Sequence, residues 1–211
     1  IRFARAYMGK LWIFVNNSGL YKIDMSTFKI EDHYTLLTDY EGNSLRTFYI
    51  DKKGYIWFGT IDGIYIFDPT DGKLSHYKHS RTDPFSLPNN SIWEISEDRQ
   101  SNVWIGTYSG TLCYVNIDEN NAFKTYHPQN SGLNHTPVSA FAEDQQYLWV
   151  GTEGGGINRM NKATGEFSYI TSANSITSNN IKSLITDAGH NLWISTFMGG
   201  LDLYNVGRQK V

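Results

Sequence analysis

The sequence predicts an all-β fold, and three observations support this. Tryptophan recurs at near-equal intervals of 45, 47, 45 and 44 residues. Each interval contains four short apolar or aromatic runs, separated by turn-forming pairs such as Lys53-Gly54, Asp62-Gly63 and Asp71-Gly72. No segment of about eleven residues or more has the apolar period of a helix. The recurring tryptophans are Trp12, Trp57, Trp104, Trp149 and Trp193.

The four runs of each unit, named strands A to D in chain order, indicate a blade architecture. Strand B contains the tryptophan, strand C follows a glycine, and strand D is a short aromatic tail. Four strands in about 45 residues are typical of a β-propeller blade. Strand B is apolar at consecutive positions, as in Leu148-Trp149-Val150, which is expected where neighbouring blades cover both faces of a sheet. We therefore predict that the five tryptophans form the blade core, each burying roughly 150–250 Å².

The whole chain, residues 1–211, is expected to be one β-propeller segment with about five four-stranded antiparallel blades. Their approximate limits are 1–34, 44–79, 90–127, 136–171 and 180–211. The last unit lacks a strand D, and no strand D precedes Ile1 to complete it. Two arrangements fit: an arc of a larger propeller, which we favour, or a tight five-bladed ring. An arc leaves two apolar blade faces bare, which predicts self-association.

Composition excludes several classes of function. The formal charge of −3 and the isoelectric point of about 6.1 provide no basic surface for nucleic acid. No apolar run reaches the roughly 18 residues of a membrane-spanning helix, so we expect no membrane contact by this segment. The single cysteine, Cys113, excludes an internal disulfide. The chain begins at Ile1 rather than at a methionine, and we expect an excised piece of a longer protein.

No catalytic motif is found: G-x-S-x-G, H-E-x-x-H and the P-loop are all missing from the sequence. We predict no catalytic residue, no metal and no cofactor. An acid ends strand A in four units, and we expect it to accept backbone N–H bonds in the A–B turn. Glu94 and Glu153 do not recur in this way, so a propeller-fold lyase or glycosidase is the alternative. The repeated acids are Asp51, Asp98, Asp144 and Asp187.

The repeating text resembles the two-component regulator propeller repeat, on the motifs Val103-Trp104-Ile105-Gly106-Thr107, Gly199-Gly200-Leu201 and Asn90-Ser91-Ile92 followed by Glu97-Asp98. The resemblance implies part of a seven-bladed propeller in the periplasmic sensor of a hybrid two-component system from glycan-using gut bacteria. It implies an inner-membrane parent protein with further blades, a β-sandwich and a histidine kinase outside this chain. Oligosaccharide detection and control of polysaccharide-utilisation genes follow as expectations. Phe14-Val15 and Ser195 depart from the Gly-Thr pattern.

At two positions of the repeat the residue type differs from blade to blade. These positions are therefore not fixed by the shared scaffold and can bind a ligand. The first is the fifth residue before the repeated acid, and the second follows the Gly-Thr pair and opens the B–C loop. Since each strand reverses direction, D–A and B–C loops emerge at one face. Aromatic rings there can stack on sugars, and charged groups can bind hydroxyls or carboxylates. A protein-interaction platform is the remaining alternative. The candidate ligand-binding residues are Arg46, Trp93, Lys182, Tyr108, Glu153 and Phe197.

Overall fold

The computed structural model describes residues 1–37, 45–108, 111–116, 122–126 and 131–208. These residues form nineteen β-strands in five antiparallel sheets, which confirms the predicted all-β class and the blade architecture. Ser131 is the one described residue in helical conformation. Within the described ranges, no helix is long and apolar enough to cross a membrane. Residue 44 of the second predicted blade, residue 127 of the third and residues 209–211 of the fifth lie outside the described part.

The strands follow one another as neighbours in each sheet, in the order A, B, C and D. Blade one holds β1 (Phe3–Tyr7), β2 (Lys10–Val15), β3 (Gly19–Asp24) and β4 (Ile30–Tyr34). Blade two holds β5 (Leu45–Ile50), β6 (Ile56–Thr60), β7 (Gly63–Asp68) and β8 (Lys73–Tyr77). Blade three holds β9 (Ile92–Glu97), β10 (Val103–Thr107), β11 (Leu112–Val115) and β12 (Lys124–Tyr126). Blade four holds β13 (Val138–Glu143), β14 (Tyr147–Thr152), β15 (Ile157–Asn161) and β16 (Phe167–Ile170). Blade five holds three described strands, β17 (Ile181–Thr186), β18 (Asn191–Thr196) and β19 (Gly200–Asn205).

The A strands form the inner edge of the assembly, because β1, β5, β9, β13 and β17 contact one another in sequence. Burial along the B strands shows which sheets are covered on both faces. All residues of β6 and β10 are buried, whereas burial in β18 alternates. The middle blades therefore have neighbours on both sides, and the last blade has one bare face.

The bare face corrects one expectation. Trp12, Trp57, Trp104 and Trp149 are between 0% and 4% exposed, as predicted for blade core. Trp193 is 38% exposed, so its assignment to the core is wrong. No further sheet covers the outer side of its blade among the described residues, so this ring lacks the packing that the next blade gives to the other four tryptophans.

The repeated acid of strand A organises the turn that follows it. In blade three, Asp98 Oδ1 accepts the backbone N–H groups of Gln100 and Asn102, both at 2.9 Å. Its Oδ2 accepts the indole N–H of Trp104 at 2.8 Å. Asp51, Asp144 and Asp187 make the same contacts in their own blades, each including the tryptophan two to three residues into strand B. The repeated acids therefore have the structural role expected of them, with an indole bond that was not foreseen.

Glycine in the Gly-Thr pair allows neighbouring blades to approach closely. A Cβ on Gly59 would lie 2.7 Å from Ile92 Cγ2, and one on Gly106 would lie 2.8 Å from Val138 Cγ1. Gly151 meets Ile181 of the next blade in the same way, at 2.6 Å. Ser195 takes this position in blade five, and no further blade lies beside it among the described residues.

Candidate functional site

The first variable slot is a β-bulge in blades two to five. In blade two, Leu45 pairs with Thr60 and Thr47 pairs with Gly59, so that Arg46 is left out of the ladder. A bulge turns one side chain away from its normal alternation and is common beside functional sites. Blade one has a regular ladder between β1 and β2. The four bulged residues are Arg46, Trp93, Ser139 and Lys182.

The second variable slot is held beside the bulge by backbone hydrogen bonds. The N–H of Tyr108 donates to the Ser91 carbonyl at 2.9 Å, and the N–H of Phe197 donates to the Asn180 carbonyl at 2.8 Å. Each acceptor lies directly before strand A of the same blade. Glu153 makes the corresponding bond to the Pro137 carbonyl. The B–C and D–A loops therefore meet at one face, as the strand directions predict.

Arg46, Trp93 and Tyr108 come together in what we name the blade-three cluster. The Arg46 guanidinium carbon lies 5.0 Å from the Trp93 ring centre and 5.7 Å from the Tyr108 ring centre. The two rings are 5.5 Å apart. Arg46 Nη1 is buried without a hydrogen-bond partner, and no described carboxylate lies within 4 Å of the guanidinium. The cluster thus combines two tilted aromatic rings with a guanidinium that forms no ion pair with a described carboxylate.

Glu153, Lys182 and Phe197 form a second group, which we name the blade-five cluster. The Lys182 ammonium lies 5.4 Å from the Phe197 ring centre and forms an ion pair with Glu153. Glu153 belongs to blade four and is also bridged to Asn180. Both clusters therefore join two neighbouring blades, and the second has its cation paired.

All six candidate ligand-binding residues thus lie in two clusters at one face. Tyr108 is 52% exposed and Phe197 is 54% exposed, so their rings can be reached by a ligand. The other two occupants of the same slots lie outside the clusters. Ile61 is exposed in blade two, and Ser139 is buried, donating its hydroxyl to the Ile181 carbonyl at 2.7 Å.

A central cavity of about 370 Å³ lies along the A strands of all five blades. Its polar lining includes Arg5, Tyr49, Glu94, Ser96 and Lys182. Burial raises the pKa of the Glu94 carboxyl to about 7, although the backbone N–H of Ile95 and the charge of Arg5 oppose the shift. Glu94 has no ion pair within 4 Å among the described residues. The cavity was not predicted, because it requires residues from five separated segments to converge.

The remaining chemically active side chains have structural environments. Cys113 is fully buried in β11, and burial raises the pKa of its thiol. The Gly154-Gly155-Gly156 segment is part of the turn that connects β14 and β15. His33 lies in β4 and stacks on Tyr21 with ring centres 4.1 Å apart. Among the described residues, no group of three histidine, cysteine or acidic side chains is arranged to hold a metal. His127 lies outside the described residues.

Comparison with known proteins agrees with the repeat structure. The model of the two-component regulator propeller family matches residues 39–62, 86–109 and 132–154. Histidine kinase P4 of Formosa agariphila is 28% identical over 217 residues, which cover 95% of this chain and 15% of the kinase.

Two solved structures share the fold. The extracellular domain of a hybrid two component system, BT3049 from B. thetaiotaomicron, superposes with a TM-score of 0.78 at 22% identity, over 99% of this chain and 29% of that one. PorZ, a surface component of the type-IX secretion system of Porphyromonas gingivalis, superposes with a TM-score of 0.52 at 14% identity, over 98% of this chain and 38% of that one.

The chain spans less than half of each of these relatives. The three matched segments each run from a D–A loop through strand B of blades two, three and four. These three segments of the chain are therefore similar to two-component regulator propeller repeats.

Proposed function

We propose that the chain is part of the non-catalytic ligand-sensing propeller of a hybrid two-component signalling protein, and that it detects an oligosaccharide on the periplasmic side of the inner membrane. The propeller repeats and the similarity to a histidine kinase support the signalling class. The observation that carries the ligand class is the pair of cation–aromatic clusters at one face. Control of polysaccharide-utilisation genes is part of the same proposal.

The chemistry of the clusters suits sugars. Exposed aromatic rings pack against the C–H face of a pyranose, while charged and polar groups bind its hydroxyls. Tyr108 and Phe197 provide such rings, and Lys182 and Glu153 provide charged groups beside one of them. The guanidinium of Arg46, which forms no ion pair with a described carboxylate, extends the range of ligands to acidic oligosaccharides.

Isothermal titration calorimetry with neutral and acidic oligosaccharides tests this proposal. Tyr108→Ala and Phe197→Ala are each expected to weaken binding by about 1–3 kcal/mol, because each removes a ring from the ligand surface. Ile61→Ala is the matched control, since Ile61 takes the same slot in blade two outside the clusters. Binding that is unaffected by all three substitutions would place the ligand elsewhere. Failure of every oligosaccharide to bind would favour the protein-interaction platform.

The enzyme alternative has one supporting observation, the raised pKa of Glu94 in the central cavity. Glycoside cleavage normally requires two carboxyl groups at a suitable separation. Glu94 is the one carboxylate among the described residues that line this cavity. Reducing ends released from a panel of polysaccharides would favour the enzyme, and loss of that activity in Glu94→Gln would assign the acid.

The parent protein provides a separate test of the signalling class. The reading frame that encodes this chain is expected to contain further propeller repeats, a β-sandwich, one membrane helix and a kinase. A frame that ends in a secreted enzyme domain instead would contradict the sensor proposal.

A further inference from the structure

The indole of Trp12 lacks the partner that the other four blade tryptophans have. In blades two to five, the indole N–H donates to the aspartate at the end of strand A, over 2.8–3.0 Å. Trp12 is 4% exposed, and its Nε1 is buried with no hydrogen-bond partner among the described residues. A buried donor without an acceptor destabilises a protein. Blade one therefore contains a donor that an added acceptor would satisfy.

The strand register shows which residue replaces the aspartate. Trp149 pairs with Ala142, and the acceptor Asp144 lies two residues further along. Trp12 pairs with Arg5, and two residues further along is Tyr7. The A–B turns of these two blades have the same length, since Tyr7 pairs with Lys10 as Asp144 bonds to Tyr147. Blade one thus differs in the missing carboxylate and not in the length of its turn.

A groove of about 340 Å³ lies beside this indole, between the A–B turns of blades one and two. Cavities that bind small molecules start at about 300 Å³. The walls include Tyr7, Met8, Trp12, Tyr55 and Pro69, and are largely aromatic or apolar. The polar part of the lining includes Lys53, Asp68 and Thr70, and the Asp68 carboxylate accepts bonds from the Thr70 backbone N–H and hydroxyl. The groove therefore suits an apolar frame that carries one acceptor group.

We propose that this groove binds a small carboxylate on an aromatic or apolar frame, with one carboxylate oxygen accepting the Trp12 indole N–H bond. The ligand oxygen would take the position that aspartate has in the other four blades. The groove lies at the A–B turns, the end of the blades opposite to the two cation–aromatic clusters, so it is a separate site. Because Nε1 is shielded from water, binding moves part of the wall. Met8 is 82% exposed, and the Tyr7 hydroxyl is held by a surface hydrogen bond to the Lys52 carbonyl.

The test is a titration of the ¹⁵N-labelled protein with sodium benzoate, followed through the tryptophan indole resonances. The Trp12 resonance is assigned as the one lost in Trp12→Phe. It is expected to move downfield and to saturate, while the aspartate-bonded indoles of Trp57, Trp104 and Trp149 stay in place. Sodium chloride at equal ionic strength and benzyl alcohol are the matched controls, the second having the same frame without the carboxylate.

Two variants separate the proposed contact from general binding. Tyr7→Asp restores the acceptor, so the Trp12 resonance should lie near the aspartate-bonded ones without ligand, and benzoate should bind roughly tenfold more weakly. Tyr7→Phe provides no acceptor and should retain the benzoate response. The proposal is overturned if the Trp12 resonance of the folded protein does not respond to benzoate, or if benzyl alcohol moves it equally. Undiminished benzoate binding by Tyr7→Asp would also overturn it.

Discussion

At the scale of single residues, the same carboxylate–indole contact has different consequences in different blades. Asp51 and Asp187 accept equivalent bonds from their turns and from their tryptophans. Burial raises the pKa of Asp51, because desolvation outweighs the hydrogen bonds. At Asp187 the hydrogen bonds, above all from the Asn191 backbone, lower the pKa to about 2. The two pKa shifts differ in direction because the Asp51 carboxylate is desolvated by burial and the Asp187 carboxylate remains accessible to solvent.

The tryptophans are expected to differ in the same way. Trp104→Ala should lower the free energy of unfolding by about 3–5 kcal/mol, because a large buried side chain is removed from a packed interior. Trp193→Ala should lower it by about half as much or less, since that ring is already partly in water. Urea denaturation of both variants measures the difference. Equal losses would contradict the assignment of Trp193 to an uncovered face.

Glu94 predicts a pH dependence of stability. Its folded pKa of about 7 lies above the ordinary glutamate value of 4.5, so the folded state binds the proton more tightly than the unfolded state. The free energy of unfolding should therefore fall as pH rises from about 4.5 to about 7, by at most roughly 3 kcal/mol from this group. Glu94→Gln should remove that part of the slope in urea denaturation, and the exposed Glu166→Gln should not. An unchanged slope in Glu94→Gln would contradict the prediction.

At the scale of the elements, strands A and B of blades two to four share two features at the same end. The bulge at the start of strand A presents Arg46, Trp93 or Ser139, and the glycine opposite it in strand B allows the next blade to approach. The bulge and the glycine thus allow neighbouring blades to pack closely next to the positions whose residue type varies between blades. This arrangement explains how the candidate residues can differ between blades while the strand pairing is preserved.

A substitution at Gly106 tests whether the close approach of blades three and four contributes to stability. Gly106→Ala should lower the free energy of unfolding by about 1–3 kcal/mol, because the added methyl group would lie 2.8 Å from Val138 Cγ1 and 2.9 Å from the Val138 carbonyl oxygen. Ser195→Ala is the matched control at the same position of blade five, with an expected change within about 0.5 kcal/mol. Thermal unfolding of both variants gives the comparison. A stable Gly106→Ala variant would show that the blades can move apart without loss.

At the scale of the whole molecule, the outer face of blade five is apolar and exposed. Ile185, Leu201 and Leu203 are 63%, 64% and 40% exposed, beside the partly exposed Trp193. Such a face lowers its free energy by contact with another apolar surface. In a longer protein a further blade is the natural neighbour, whereas the isolated chain can use a second copy of itself.

We therefore expect the isolated chain to self-associate in a concentration-dependent manner, which sedimentation velocity will measure. The double substitution of Leu201→Lys and Leu203→Lys should shift the chain to a monomer, because two charges would be buried at the contact. Met25→Lys, at a 45% exposed position in blade one, is the control. A monomeric wild-type chain at all concentrations would contradict the expectation.

Sequence periodicity alone was sufficient to predict the strands, the blades and the role of the repeated acids. A residue that recurs in the copies of a repeat marks an interaction that each blade makes with its own turn or with its neighbours. The hydrogen bond between Trp104 and Asp98 is such an interaction. The variable slots of Arg46 and Tyr108 were also recognisable, since their chemistry changes while the adjoining positions stay constant.

Only the tertiary structure decided which of these slots meet and which copies of the repeat differ. The clusters join Arg46 to Trp93 and Glu153 to Lys182 across blade boundaries, and no periodicity records which side chains meet there. Trp193 is exposed because no described sheet covers its face of blade five, and the buried Trp12 indole finds no described acceptor where Tyr7 replaces the aspartate. Contacts within a blade are encoded in each copy, whereas contacts between blades depend on which copies become neighbours.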